Sequence, residues 1–397
     1  MKPFCLEGNP TVLIGNIVFP TSKDGKNPGP AGAGLHRGGL AMGRLLSGLV
    51  AASLLLTLGL VPVAAENPPA PAKSQAPAKT LEGTVSISGA WALYPMTVKW
   101  AEEFQKIYPK IKLDISAGGA GKGMADALAG VVDIGMVSRA VYPAEIEKGA
   151  WWIAVTKDAV VPTMNAKNPF LKDLAAKGVK RETFIDMYIT EKIKTWGEIL
   201  GTTAKEPVHV YTRSDACGAA DTWAGFMGKK QEDLLGVGVY GDPGLTQAVK
   251  KDRLGVGYNN IGYAYDGKTK KPLAGIALLP IDVNGNGTID KEEDCYATRD
   301  DIIKAIDEGR YPSPPARNLH FVTKGSPTRE VVREFVRWVL TDGQQYVPEA
   351  GYITLTPATL KEQMDKLEGK VEVKPEVKPE TKTESKSPAQ PEGSSGK

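Results

Sequence analysis

The segment SAGGAGKGMADAL, residues 116–128, sets four glycines and one lysine in front of a helix-like run. Such a turn directs backbone N–H groups and a helix dipole at an anion. A nucleotide-binding P-loop needs G-x-x-x-x-G-K-[ST], because its last hydroxyl holds the magnesium ion. Aligned on Gly121-Lys122, this chain has Ser116 in place of the first glycine and Gly123 in place of the hydroxyl. The pattern fails at both ends, which argues against nucleoside triphosphate chemistry and for a smaller anion.

Two more strand-to-helix turns are built from small residues: Gly89-Ala90-Trp91-Ala92 and Ala216-Cys217-Gly218-Ala219. Close packing of a helix on a sheet would explain any one of them. Together with Ser138-Arg139 and Arg213 at the ends of further strands, they make a site for a small tetrahedral oxyanion: unpaired N–H groups at helix starts and a guanidinium fork. Cys217 at a helix start also fits a thiolate nucleophile. Only His209 and His320 lie after the leader described below, neither in a Cys/His motif, so the chain reads as a binding protein and not as an enzyme.

Residues 282–293, DVNGNGTIDKEE, follow the twelve-residue EF-hand loop. Asp282, Asn284 and Asn286 supply side-chain oxygens, Gly287 the sharp turn, Thr288 a carbonyl, Asp290 the ninth position and Glu293 the bidentate carboxylate. A structural calcium ion is expected there. The alternative is a polar Asn-Gly hairpin, since the residues before the loop read as a strand.

The elements that must hold these residues alternate strand and helix. TVSISG (84–89) is a β-branched strand and YPMTVKWAEEFQKIY (94–108) an amphipathic helix. Strand 112–116, the glycine turn and a helix carrying Met124, Leu128, Val131 and Val132 repeat the order, and strand 132–137 follows. A long apolar strand, 151–161, leads to strand 207–213, helix 218–227, strands 255–266 and 276–282, and the amphipathic helix 329–340. The expectation is an α/β fold with parallel sheets and crossover helices, its ligand at the carboxyl ends of the strands.

The chain has 397 residues and a formal net charge of +3. With no basic stripe interleaved with aromatics, nucleic acid is not an expected partner. Residues 42–65 read as a secretory signal peptide ending at Val63-Ala64-Ala65. Met42 is the expected start, leaving 1–41 untranslated. Residues 66–80 form a Pro/Ala linker, and 369–397 a disordered Lys/Glu/Pro tail. Only Cys217 and Cys295 remain after the leader, which permits at most one disulfide and suits an extracytoplasmic location.

SGAWALYP followed by KWAEEF, then DISAGGAGKG, DIGMVSR and RSDACGAADTW, resemble in residues and order the phosphate-binding periplasmic proteins of phosphate ABC transporters. The resemblance, over about residues 84–355, implies a two-lobed type II periplasmic binding protein fold with two crossovers and an interlobe cleft. Lobe 1 would be 81–158 and 264–368, and lobe 2 would be 159–263. It implies capture of phosphate or a similar oxyanion by a monomer that delivers it to an ABC transporter permease. Leu93-Tyr94 then occupies a Thr-Phe position, with the Tyr94 N–H still able to bind. Gly118, beside Gly119, stands where a serine is usual. Arg213 matches the anion-binding arginine and Asp215 its orienting carboxylate. Cys217-Gly218-Ala219 replaces Ser-Gly-Thr, losing two hydroxyls. Arg139, if it faces the cleft, puts a donor where some members keep an aspartate, so sulfate is expected to compete better than usual. The rival reading is a calcium-stabilised interaction module on the same fold.

Overall fold

The computed structural model describes residues 81–370 and two short strands near the start. The chain divides into the units Met1–Lys79 and Thr80–Lys397. In the first, Thr11–Ile14 pairs antiparallel with Ile17–Pro20. The expected leader, the linker and the tail beyond 370 lie outside the described residues.

The second unit is organised by one long sheet. Its strands are β1 (Gly83–Gly89), β2 (Ile111–Ala117), β3 (Ile134–Val137), β4 (Ala150–Asn165), β5 (His209–Arg213), β6 (Val237–Val239), β7 (Gly255–Asn260), β8 (Ile276–Leu278) and β9 (Ala316–Lys324). They lie in the order β2-β1-β3-β9-β4-β7-β5-β6, with β8 on the end of β4. Pairing is parallel among β1, β2 and β3 and among β5, β6 and β7, and antiparallel wherever β4 or β9 takes part. The β4 strand is buried along nearly its whole length because it passes from one core to the other.

Two hydrophobic cores flank this passage. The first takes its side chains from Val85 through Val155 and from Leu319 through Leu367; the second takes them from Ala159 through Ala316. The two crossovers are therefore β4 and β9, which meet at Arg317 opposite Asp158. This corrects the expected division: residues 264–316 belong to the second lobe, not the first. The reason is pairing and packing. β8 zips onto Thr163–Asn165 of β4, Ile281–Asp282 pairs with Val179–Lys180, and Tyr296 and Tyr311 fill the second core.

Helix Tyr94–Ile107 buries Met96, Trp100 and Phe104 against the first core, as its spacing predicts. Helix Ala120–Ala129 ends sooner than expected, because Gly130 takes a left-handed φ of 69° that stops it. Val131, expected on its buried face, is 70% exposed. The expected strand 255–266 ends at Asn260, where the short helix Ile261–Ala264 begins. Among the described residues no helix is long and apolar enough to cross a membrane.

Candidate functional site

The two parallel halves of the sheet bring their strand-to-helix turns face to face. Across this cleft the N–H of Gly121 donates to the Ala216 carbonyl at 3.0 Å. A Cβ on Gly119 would lie 3.0 Å from Asp215 Oδ2, and one on Gly218 only 2.2 Å from the carbonyl oxygen and Oγ of Ser138. Glycine is needed at both positions because backbone approaches backbone there. The expected turns 118–121 and 216–219 thus do converge, with Ser138 buried between them.

Arg213 lies at the end of β5 with its side chain sealed from solvent. Nε and Nη2 donate to Asp215 at 2.8 and 2.6 Å, and Nη1 donates to Asp242 at 2.5 Å. A guanidinium has five N–H donors, so one remains on each terminal nitrogen. Burial opposes its charge, but Asp242 and Asp215 outweigh burial and hold the group above its ordinary pKa. Asp242 also accepts from the Asn260 side chain at 2.8 Å. The start of helix Gly218–Phe226 adds first-turn N–H groups that no residue within the helix can satisfy.

Four expected donors are spent on backbone carbonyls. The N–H groups of Leu93 and Tyr94 both donate to Ala90 O at 3.1 Å, and those of Gly118 and Gly119 donate to Gly89 O at 2.9 and 3.0 Å. A buried N–H without a partner is costly; the Ala90 carbonyl supplies one within the first turn, and the Gly89 carbonyl at the end of β1 supplies one to the second. Leu93 itself is a core residue.

Arg139 departs further from expectation. Its Nη1 and Nη2 grip Glu145 at 2.9 and 2.6 Å, and its guanidinium lies 4.4 Å above the Tyr142 ring. It is a structural clasp just past the end of β3, its donors engaged by Glu145 and Ala140, so it does not supply the donor to sulfate that was expected of it. Tyr142, which it supports, reaches across to Asp221.

Cys217 is buried. Its Sγ accepts the Ala220 N–H at 3.4 Å, and burial pushes the thiol up to about 12. Cys217 and Cys295 are both free. A thiol held protonated in this way is a poor nucleophile.

Trp91, from the first of the expected turns, and three residues outside the expected set, Asp158, Asp242 and Arg317, complete the cleft. The Trp91 indole reaches from the first lobe to Gly241, where a Cβ would be 3.2 Å away, and stands edge-on to Tyr240. Asp158 and Arg317 lie beneath, on the crossovers. Asp158 is the one acid in the stretch AVTKDAVVP, where it follows Thr156 and Lys157 in a long buried strand. Asp242 gave no signal beyond a turn-like GDPG.

The calcium-loop residues gather away from this cleft, in the second lobe. Asp282 accepts N–H groups of Gly285 and Gly287, each at 2.7 Å, and Glu293 those of Val283, Asn284 and Asp290. The side-chain amides of Asn284 and Asn286 turn to Asp290, and the Thr288 N–H donates to Asn286. No group of three or more His, Cys, Asp or Glu side chains close enough to hold a metal forms among the described residues.

Residues 74–343 match the family model described as a PBP superfamily domain. The phosphate-binding protein PstS of Pseudomonas aeruginosa is 26% identical over 326 residues, covering 77% of this chain and 92% of that protein. The PstS of Staphylococcus haemolyticus is 23% identical over 297 residues, covering 73% and 87%. Among solved structures, a phosphate ABC transporter substrate-binding protein with bound phosphate from Clostridium perfringens superposes with a TM-score of 0.56 at 24% identity, covering 69% of this chain and all of that one. An ABC-type phosphate transport receptor from Vibrio cholerae gives 0.50 at 19%, covering 68% and 100%. These structural likenesses establish the fold. The interaction-module alternative finds no support in them.

Proposed function

The chain belongs to the PBP superfamily, and on that premise we propose that it is an extracytoplasmic solute-binding protein capturing inorganic phosphate, or a closely related tetrahedral oxyanion, for an ABC importer. The observation that carries this reading is the convergence on Arg213. Two turns from opposite lobes close over a buried guanidinium that still has donors to give, beside the start of helix Gly218–Phe226. Paired N–H groups and a guanidinium fork suit the several oxygens of a small anion. Relatives named phosphate-binding proteins and a fold relative holding phosphate support the same ligand.

In this proposal the protein is exported by the segment 42–65, acts as a monomer and hands its ligand to a permease. It is not an enzyme, consistent with a cysteine held as a thiol at the cleft. Trp91 spans the cleft, so its fluorescence should report closure. Titration with inorganic phosphate should change the emission saturably, and an unresponsive signal together with no heat of binding would reject the reading.

We further propose that the 282–293 loop holds a structural calcium ion through Asp282, Asn284, Asn286, Thr288, Asp290 and Glu293. Asp282 and Glu293 are buried, and among the described residues no cation pairs with either or with Asp290. Buried carboxylates of this kind call for a positive partner. Calcium would take its place among their oxygens once the amides of Asn284 and Asn286 turn over.

A further inference from the structure

We infer that Arg317 is a positioning residue for anion capture: from the second crossover it sets both the start of helix Gly218–Phe226 and, through Asn260 and Asp242, the guanidinium of Arg213. The inference rests on the oxyanion reading above and adds to it the part that aims the donors.

Arg317 is the second residue of β9, opposite Asp158 of β4. Only 7% of its side chain is exposed. Nη1 donates to Gly218 O at 2.7 Å, and Nη2 donates to Asn260 Oδ1. A peptide carbonyl has two lone pairs, so the first bond adds to the one the helix makes for itself and holds its opening residue in place. That matters at this helix because its first N–H groups are the ones offered to an anion. The second bond fixes the Asn260 amide, with its oxygen toward Arg317 and its nitrogen toward Asp242, whose Oδ1 it reaches at 2.8 Å. The Asn260 backbone N–H donates to the same oxygen at 3.2 Å, and Oδ2 of Asp242 accepts from Arg213 at 2.5 Å. One planar fork thereby reaches both donor groups of the second lobe.

The position is costly for Arg317 itself. Burial lowers its pKa from the ordinary value in spite of Asp158 and Asp242 nearby. Its Nε is buried without a partner, and a helix start carries partial positive charge that disfavours a cation. These costs are not recovered in the donors of Arg317, but the charges around the cleft give them a use. Arg213 is shared by Asp215 and Asp242, and Asp158 lies 3.8 Å from Arg317. Two guanidiniums thus face three carboxylates, so an anion entering this region of low dielectric needs both cations.

The test is calorimetric titration of the mature protein with inorganic phosphate, comparing wild type, Arg317→Lys and Arg317→Met, each shown to be folded by urea unfolding. Arg317→Lys keeps a charge but has no rigid fork to hold two acceptors at once, and should weaken phosphate binding about tenfold. Arg317→Met should weaken it about a hundredfold. Phosphate should also shift the NMR signals of the Arg317 guanidinium in the wild type, a response that an arginine serving the fold alone would not give. A folded Arg317→Lys or Arg317→Met protein that binds as tightly as the wild type, or guanidinium signals that phosphate leaves unmoved, would overturn the inference and leave the oxyanion reading standing. If the folded wild type binds no phosphate, the oxyanion reading falls and the inference with it. The wild-type signals decide the matter even if neither variant folds.

Discussion

Arg213 and Asp242 meet at 2.5 Å with both side chains sealed from water, joining the end of β5 to the start of helix Gly241–Lys251. Asp215 holds the other edge of the same guanidinium. Arg213→Ala should therefore do two things. It should abolish measurable oxyanion binding, because a buried charged donor is lost, and it should destabilise the fold by about 3–5 kcal/mol, because two buried carboxylates lose their partner. Urea unfolding and calorimetry on the same sample separate the effects. Asp242→Asn, which leaves the Asp215 fork in place, should keep the fold and strengthen anion binding by relieving the excess negative charge.

Gly218 lies so near Ser138 that an added methyl has nowhere to go. Gly218→Ala should keep each lobe folded but hold the cleft ajar. Small-angle scattering should show a wild-type radius of gyration that contracts on adding phosphate and a variant radius that does not. Equal contraction would mean that the turns do not meet as described.

The acidity of Asp158 carries a stability prediction of definite sign. Its folded pKa, about 7, is raised above the usual carboxylate value by burial. The stability it contributes is therefore complete below about pH 4 and lost as pH rises through about 7. In phosphate-free buffer the wild type should unfold more readily at pH 8 than at pH 5. Asp158→Asn should narrow that difference, the gain at pH 8 being on the order of 4 kcal/mol before the loss of the Arg317 partner is subtracted. Thermal melts across the pH range check it.

For the loop, adding calcium to chelator-treated protein should raise the melting temperature, by about 3 kcal/mol of stabilisation at a hundredfold excess over Kd. Glu293→Gln should remove the rise. No shift at millimolar calcium would leave the loop as a hairpin held by its own Asx turns.

Much of this architecture was legible because period and composition agree. The 3.6-residue spacing of Met96, Trp100 and Phe104 and the β-branched run of β1 each specify an element and a buried face. The turns at 118–121 and 216–219 were legible because close backbone approach requires glycine. What could not be read was partnership. Nothing in the local sequence says that Arg139 meets Glu145, that Asp242 reaches Arg213 across 29 positions, or that β8 pairs with the end of β4. The second crossover was misplaced for that reason. Sequence marks a strand but not its neighbour, and residues 276–316 are claimed by the second core through contacts far along the chain.

Equilibrium dialysis of the purified mature protein against radiolabelled inorganic phosphate, with Arg213→Ala alongside, tests the central claim most directly. Saturable binding of one phosphate per chain to the wild type, and none to the variant, is the predicted result. Absence of saturable binding to a folded wild type, or undiminished binding to a folded Arg213→Ala protein, would contradict it.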